Sequence, residues 1–184
     1  CNDTRSAIAV IKALGASVEI VDQNMLIIEG GLAPKTTTLN VGESGLAARL
    51  FTPIASLYDD AICVDGEGTL KHRPMSMMIE PLKELGVEVR DGGGRLPIEV
   101  RGPIKGGRIV VDGSISSQFI TGLLIALPRA THDTTIEVRN AVSTPYIDMT
   151  LEALREFGIR VDWADDHTLV IPGNQKYHAT ETSV

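Results

Sequence analysis

The stretch Leu82-Lys-Glu-Leu-Gly-Val-Glu-Val-Arg90 has two counterparts elsewhere in the chain, and the three together decide the fold. The counterparts are Ile11-Lys-Ala-Leu-Gly15 followed by Val18-Glu-Ile-Val21, and Leu154-Arg-Glu-Phe-Gly-Ile-Arg-Val-Asp162. Their glycines, Gly15, Gly86 and Gly158, lie 71 and 72 residues apart. Repetition at a nearly constant period indicates that one structural unit is used several times.

Each copy predicts the same local structure. An amphipathic helix ends at the glycine, which can adopt the left-handed conformation that closes a helix. A strand with alternating apolar and polar residues follows, and a polar turn leads to a second strand. The second strands are Met25-Leu-Ile-Ile28, Leu96-Pro-Ile-Glu-Val100 and Thr168-Leu-Val-Ile171.

The segments between the copies also match each other. Strands are predicted at Thr37–Val41, Ala61–Asp65, Arg108–Asp112 and Thr134–Val138, and helices over about Ser44–Leu57 and Ser116–Leu127. The unit is therefore β-α-β-α-β-β, with apolar helices that need burial. We predict an α/β fold with helices inside and sheets outside. It has a half unit at 1–31, full units at 32–104 and 105–173, and a tail at 174–184.

The composition limits the possible functions. The chain has 184 residues, 43% of them hydrophobic, which is enough for a core of its own. Its net charge of −7, without runs of Lys or Arg, argues against nucleic-acid binding. The two cysteines lack zinc-ligand spacing, and no apolar stretch has the length of a membrane span. We expect a cytoplasmic protein without cofactors. Because it starts at Cys1 rather than Met, we also expect a piece of a longer protein.

Four segments that lead from a strand towards a helix carry groups suited to anions. The first, Asp112-Gly-Ser-Ile-Ser-Ser-Gln-Phe119, places the hydroxyls of Ser114, Ser116 and Ser117 near the free N–H groups of a helix start. That end of a helix carries partial positive charge and favours phosphate or carboxylate. A single serine there could simply cap the helix. Three hydroxyls together with Gln118 favour a ligand site instead.

The second and third segments are weaker when taken alone. Val41-Gly-Glu-Ser-Gly-Leu-Ala-Ala-Arg49 has glycines that allow close backbone approach, and Arg49 can either face a ligand or brace the loop. Gly66-Glu-Gly-Thr-Leu-Lys-His-Arg-Pro74 carries Lys71 and Arg73 before a helix whose start is predicted at Pro74. Taken alone, the latter segment would be better explained as a solvated basic loop.

The fourth segment is Ala141-Val-Ser-Thr-Pro-Tyr-Ile-Asp-Met149, in which Ser143 and Tyr146 flank a proline at a helix start. Alone it would indicate no more than a helix cap and a half-buried tyrosine. Packing of the repeats is expected to bring all four loops to one face. Together they therefore predict a ligand with several negative groups.

These motifs resemble the 3-phosphoshikimate 1-carboxyvinyltransferase family, the EPSP synthases, over nearly the whole chain. The resemblance is most specific at Lys71-His-Arg-Pro74, Asp112–Phe119 and Ser143-Thr-Pro-Tyr-Ile-Asp148. It implies an enzyme with two lobes, each built from three such units. The family transfers the enolpyruvyl group of phosphoenolpyruvate to the 5-hydroxyl of shikimate 3-phosphate without a metal. This chain would form one of the lobes.

The resemblance also implies a role for individual residues. The shikimate 3-phosphate ligands would be Ser116, Ser117, Gln118, Ser143 and Tyr146, with the serines on the phosphate. The phosphoenolpyruvate ligands would be Gly45, Arg49, Arg73 and Gln118. No catalytic residue is implied within this chain, because the acidic proton-transfer groups would belong to the second lobe. We therefore expect the isolated chain to be inactive.

The chain departs from the family pattern at four positions in or near the second motif. Glu43, Ser44, Leu46 and Leu50 stand where many members have Asn, Ala, Thr and Pro. A carboxylate near an anionic ligand would weaken binding unless it turned away or paired with Arg49. The altered pocket predicts that the full-length enzyme is poorly inhibited by glyphosate. The family's lysine-containing amino-terminal loop is expected to precede Cys1.

Two alternatives stay open at the level of sequence. The related transferases that act on UDP-N-acetylglucosamine usually carry a Cys, sometimes an Asp, in the loop that here reads Glu67-Gly-Thr-Leu-Lys-His-Arg73, which has no Cys. A stand-alone anion-binding module would lack acid–base residues too. A reading frame that continues on both sides of the chain would argue against such a module.

Overall fold

The structure, a computed structural model, describes residues 2–114, 117–141 and 144–182. The helices are α1 Asn2–Ala13, α2 Gly45–Ala55, α3 Ile79–Glu84, α4 Ser117–Ala126 and α5 Thr144–Glu156. The strands are β1 Ser17–Ile20, β2 Leu26–Glu29, β3 Thr38–Asn40, β4 Ile62–Asp65, β5 Glu88–Asp91, β6 Ile98–Arg101, β7 Arg108–Asp112, β8 Thr134–Arg139, β9 Asp162–Asp165 and β10 Thr168–Ile171. In this part of the chain no helix is long and apolar enough to cross a lipid bilayer.

Two four-stranded sheets share one topology. Their strand orders are β3-β4-β6-β5 and β7-β8-β10-β9. In each, the first two strands are parallel and joined by a crossover helix, α2 or α4, and the remaining pairings are antiparallel. The pair β1 and β2 is antiparallel and corresponds to the last two strands of each larger sheet. The predicted α/β fold is confirmed.

Helices α2 and α4 lie in the core because they are the most apolar helices of the described chain. In α4 the side chains of Phe119, Ile120, Leu123 and Leu124 are all fully buried, which leaves that helix little contact with water. The strands of the two larger sheets instead alternate between buried and more exposed residues, as in β8. An alternating strand has one face on the core and one in solvent. The crossover helices α2 and α4 are therefore inside, and the two larger sheets have one face in solvent.

Gly122 sets how closely α2 and α4 approach. A Cβ atom at this position would lie 2.7 Å from the carbonyl oxygen of Leu50 and 2.9 Å from that of Arg49. No side chain fits between the two backbones, so a glycine is needed here. The close approach brings residues at the amino-terminal ends of these two helices within reach of each other.

The strand predicted at Ile159–Asp162 is wrong by about three residues, because β9 runs from Asp162 to Asp165. Before β9 begins, the backbone forms hydrogen bonds with the side chain of Gln175 and not with a neighbouring strand. The backbone N–H of Arg160 donates to Gln175 Oε1 at 2.8 Å, and Gln175 Nε2 donates to the carbonyl of Arg160 at 2.9 Å. The side-chain amide of Gln175 thus forms the hydrogen bonds of the Arg160 backbone, which the alternating pattern had predicted to lie in a strand.

The segment after β10 is attached to the last sheet and its helices. The backbone N–H groups of Asn174 and Gln175 donate to the carbonyls of Ala130 and Pro128, both at 2.8 Å. The hydroxyl of Tyr177 donates to the carbonyl of Ile125 at 2.7 Å, and burial raises the pKa of that phenol. Residues 174–178 therefore belong to the folded body of the chain.

Candidate anion-binding site

The amino-terminal end of α2 forms one wall of the site. Ser44 caps the helix, and its Oγ accepts a hydrogen bond from the backbone N–H of Ala47 at 3.1 Å. This cap satisfies one of the free N–H groups that a helix start leaves, and the remaining groups keep their partial positive charge. Gly45, the first helical residue, is buried.

Two guanidinium groups meet at Gly45. A Cβ atom there would lie 2.9 Å from Arg49 Nη1 and 3.1 Å from Arg73 Nη1, so the missing side chain leaves the space that the cations occupy. Burial, and secondarily the positive charge of Arg73, lowers the pKa of Arg49. Among the described residues, neither guanidinium has a carboxylate within salt-bridge distance. Two adjacent cations without a counter-ion are suited to an anionic ligand.

Arg49 connects three parts of the site. Its Nη1 donates to the carbonyl of Gly45 at 3.1 Å and to Gln118 Oε1 at 3.3 Å, and its Nη2 donates to the carbonyl of Pro74 at 3.4 Å. Its Nε is buried without a hydrogen-bond partner among the described residues. Of the two roles that the sequence left open, these contacts favour the brace. They also leave the amino group of Gln118 available to donate to a ligand.

The amino-terminal end of α4 carries two of the predicted ligands. Ser117 and Gln118 are its first two residues and are both half-buried. The hydroxyl of Ser114, by contrast, donates to Asp112 Oδ1 at 2.7 Å, and its backbone N–H donates to the same oxygen. These bonds lower the pKa of Asp112 and place the hydroxyl of Ser114 in the turn itself. Ser116 lies outside the described residues.

The amino-terminal end of α5 carries Tyr146, whose side chain is 61% exposed. The half-buried tyrosine that this segment would indicate if taken alone is therefore not what the structure shows. A hydrogen bond of 3.2 Å between the hydroxyls of Thr121 and Thr150 holds α5 against α4. The phenol of Tyr146 is thus accessible one turn from the helix start. Ser143 lies outside the described residues.

The segment 66–78 differs from its prediction. Pro74 does not start a helix: short 3-10 turns at Gly68–His72 and Ser76–Met78 precede α3. The backbone N–H of Met75 donates to the carbonyl of Gly94 at 2.7 Å, and this long-range bond holds the segment away from helical geometry. Arg73 is exposed in the link between the turns, beside Gly45.

Lys71 is directed away from a ligand role. Its Nζ forms a salt bridge of 3.3 Å with Asp65 Oδ2 at the end of β4, although both side chains stay partly exposed. Of the two cations in the motif, the structure thus brings Arg73 to the cluster around Gly45 and holds Lys71 against β4. The sequence shows Asp65 six residues earlier but does not specify this pairing.

Glu43 and Leu46 show how the departures from the family pattern are accommodated. The carboxylate of Glu43 lies against Gly68, where any side chain would collide with it and where φ is +55°. Pairing with Arg49 was one of the two possibilities predicted for Glu43, and the structure shows no such salt bridge among the described residues. The side chain of Glu43 lies against Gly68 instead. Leu46, in the first turn of α2, remains 41% exposed.

Comparison with known proteins shows which solved structures share this fold. NikO of Streptomyces tendae, an enolpyruvyl transferase, shares the fold with a TM-score of 0.66 at 15% identity, covering 95% of this chain and 41% of NikO. EPSP synthase of Acinetobacter baumannii matches with a TM-score of 0.83 at 25% identity, covering 96% of this chain and 40% of that protein. The fold is thus the one used by enolpyruvyl transferases.

The family is shown by sequence. The model of the EPSP synthase family (3-phosphoshikimate 1-carboxyvinyltransferase) matches residues 1–184, and the chain belongs to this family. A 3-phosphoshikimate 1-carboxyvinyltransferase of Methanocorpusculum labreanum is 37% identical over 99% of this chain. One from Haemophilus influenzae is 35% identical over 96% of it. The chain spans 44% of the length of each of these relatives.

Proposed function

We propose that this chain is one lobe of an enzyme that transfers the enolpyruvyl group of phosphoenolpyruvate to the 5-hydroxyl of shikimate 3-phosphate. The products would be 5-enolpyruvylshikimate 3-phosphate and phosphate, in the biosynthesis of chorismate and aromatic amino acids. Family membership supports this proposal, and so does a cluster of cations next to two helix starts. We expect the complete protein to work in the cytoplasm.

The observation that carries the proposal is the meeting of Arg49 and Arg73 at Gly45. Phosphoenolpyruvate carries its carboxylate and its phosphate ester oxygen on the same carbon, and two guanidinium groups with backbone N–H donors complement such a pair. The amino group of Gln118 completes the donor set, because Arg49 holds the oxygen of that amide. In this proposal Arg73 and the backbone of Gly45 bind the anion, and Arg49 positions the groups around it.

The shikimate 3-phosphate site would lie alongside, at the starts of α4 and α5. In the proposal the hydroxyls of Ser116, Ser117 and Ser143 bind its phosphate, and Gln118 and Tyr146 contact the shikimate moiety. The half-buried Ser117 and the exposed Tyr146 are placed suitably for these roles. The hydrogen bond between Thr121 and Thr150 supports this arrangement, because it keeps α4 and α5 adjacent.

The chemistry itself needs groups beyond these. A new C–O bond forms between the oxygen of the 5-hydroxyl and the enolpyruvyl carbon, the bond from that carbon to the phosphate oxygen breaks, and the hydroxyl proton ends on the released phosphate. The residues at this site bind and orient anions, and none of them is suited to proton transfer at neutral pH. We therefore propose that a second lobe supplies the acid–base groups, and that the isolated chain binds substrate without turnover.

An NMR titration with shikimate 3-phosphate, followed by phosphoenolpyruvate, tests the proposal. Saturable shifts are expected at the amides of Ser117, Gln118 and Tyr146, and at Gly45 when phosphoenolpyruvate is added. Arg73→Ala should abolish the second set of shifts. The matched control is Arg90→Ala, because the side chain of Arg90 is 83% exposed on an outer strand. Equal loss in both variants, or shifts spread over the whole surface, would refute a specific site.

A further inference from the structure

A pair of hydroxyl groups joins α4 and α5 just behind the residues that these helices offer to shikimate 3-phosphate. The Oγ1 atoms of Thr121 and Thr150 lie 3.2 Å apart, and both side chains are half-buried. Thr121 is four residues after Ser117 in α4, and Thr150 is four residues after Tyr146 in α5. Residues four apart lie on the same face of a helix, about 5.4 Å along its axis. The two hydroxyls therefore meet one turn behind a proposed ligand on each helix.

This hydrogen bond lies in surroundings that are otherwise apolar. After Gln118, Thr121 is the one residue of α4 whose side chain can form a hydrogen bond. In α5 the buried residues follow helical spacing, and Thr150 borders the stripe that they form: Ile147, Leu151 and Leu154. Apolar packing is not directional, whereas a polar pair inside an apolar contact favours the one register in which both groups have partners. The pair thus specifies how α5 lies along α4.

The direction of the hydrogen bonds follows from the single proton of each hydroxyl. Thr150 Oγ1 donates to the backbone carbonyl of Tyr146 at 2.9 Å. A threonine hydroxyl has one hydrogen to donate and accepts with its lone pairs. Because the proton of Thr150 is directed to this carbonyl, its oxygen accepts from Thr121. The bonds therefore run from Thr121 in α4 through Thr150 to the backbone of Tyr146.

We propose that Thr150 is a positioning residue for shikimate 3-phosphate, which sets the distance between the ligands at the start of α4 and those at the start of α5. This inference rests on the proposed function, because it takes Ser117 and Tyr146 as ligands of that substrate. A substrate that contacts two helix starts at once needs them at one separation, and a displacement of about 1 Å weakens such contacts. Thr150 itself does not touch the substrate and acts through Tyr146.

A second contact holds α5 on another side and gives an independent measure of its docking. Trp163 Nε1, in β9, donates to Asp148 Oδ1 at 3.0 Å. Asp148 is two residues before Thr150, and residues two apart do not share a face of a helix. The chain has one tryptophan, so its indole N–H gives a single NMR signal. That signal reports whether α5 stays on β9 when Thr150 is replaced.

Thr150→Val tests the proposal, because valine keeps the shape of threonine and removes the hydroxyl. The Kd for shikimate 3-phosphate, measured from the amide shift of Ser117, should rise by roughly tenfold, since a displaced α5 loses at least one hydrogen bond to the charged phosphate. Thr150→Ser keeps both hydrogen bonds and should bind like the wild type. At saturating shikimate 3-phosphate, the shift of Gly45 on addition of phosphoenolpyruvate should be the same in all forms, because α2 carries that site.

Thr52→Val is the matched control. Thr52 Oγ1 also donates to a carbonyl four residues earlier, that of Ala48 at 2.7 Å, and its residue is fully buried in α2. This variant loses the same kind of bond in a different helix and should leave the Kd for shikimate 3-phosphate unchanged. Thr121→Val leaves the bond to Tyr146 in place and should weaken binding as Thr150→Val does. The double variant should bind no more weakly than Thr150→Val, because both single changes break one shared bond.

The possible results separate this inference from the proposed function. An unchanged Kd in Thr150→Val, with the indole signal of Trp163 in its wild-type position, would overturn the inference and leave the proposed function standing. An equal loss in Thr52→Val, weak binding by Thr150→Ser or additive losses in the double variant would also overturn it. If the wild-type chain shows no saturable shift with shikimate 3-phosphate, the proposed function fails and the inference fails with it.

Discussion

Arg49 Nη1 lies 3.3 Å from Gln118 Oε1, which joins the second turn of α2 to the first turn of α4 across 69 residues of sequence. The same guanidinium reaches the carbonyl of Pro74. One side chain therefore fixes the relative position of two helix starts and of the segment that carries Arg73. The amide of Gln118 is oriented by this contact, with its amino group left for a ligand.

Replacing Arg49 by Lys should weaken the binding of phosphoenolpyruvate while the protein stays folded. The planar guanidinium of Arg49 contacts Gln118 and Pro74 at the same time, whereas the single ammonium group of a lysine cannot reach both. Without this contact the amino group of Gln118 is no longer held towards the anion. Loss of that charge-assisted hydrogen bond to the ligand corresponds to about 1.5–3 kcal/mol, so the Kd should rise by roughly tenfold or more.

The side-chain amide signals of Gln118 in a nitrogen–proton NMR spectrum provide the specific readout for this variant. They should move in Arg49→Lys and stay unchanged in the control Arg90→Lys. A weaker Kd without any change in the Gln118 signals would indicate that Arg49 contacts the ligand directly and does not act as a brace.

Gly122→Ala should destabilise the chain by about 1–3 kcal/mol, because the added methyl group meets the backbone of α2 at Leu50 and Arg49. Backbone atoms cannot rotate away as a flexible side chain can. Chemical denaturation measures the free energy of unfolding. Gly30→Ala is the control, since nothing lies within 4 Å of a Cβ atom there. A loss no larger than that of the control would mean that α2 and α4 separate at little cost.

Gln175→Ala should lower the free energy of unfolding by about 1–3 kcal/mol, because the side-chain amide makes two hydrogen bonds with the backbone of Arg160 and a third with the carbonyl of Pro172. Gln175→Glu keeps an acceptor for the N–H of Arg160 and should lose less. Lys176→Ala, on the exposed neighbouring residue, is the control. Equal stability of all three variants would contradict the role given to this amide.

Stability should fall at alkaline pH through Tyr58. Its hydroxyl donates to the carbonyl of Leu14 at 3.2 Å, and burial raises its pKa to about 12. In the unfolded chain this phenol ionises at about pH 10. The raised pKa in the folded state means that the contribution is complete below about pH 10 and is lost as the pH rises towards 12.

Denaturation curves at increasing pH, together with tyrosinate absorbance, measure this effect. Tyr58→Phe should flatten the alkaline loss of stability, although Tyr177 contributes in the same direction. Tyr146→Phe serves as the control on an exposed tyrosine. If the wild-type protein and Tyr58→Phe lose stability in parallel between about pH 10 and 12, the assignment to Tyr58 is wrong.

The kind and order of most elements could be predicted from local patterns in the amino-acid sequence. The repeat around Gly15, Gly86 and Gly158 predicted three helix–strand–strand segments, and β7 and β10 lie at the residues that the alternating pattern indicated. These features are local, because alternation and helix closure depend on residues close together in the chain. The prediction that the helix starts are suited to anions rests on local features for the same reason.

The tertiary structure alone decided which groups meet. It displaced β9 because Gln175 satisfies the backbone before that strand, and it engaged Lys71 with Asp65 while bringing Arg73 beside Gly45. It also assigned Arg49 to Gln118. Each of these contacts depends on the packing of segments that are turned towards each other only in the folded chain. Residue type and spacing along the chain do not predict that packing.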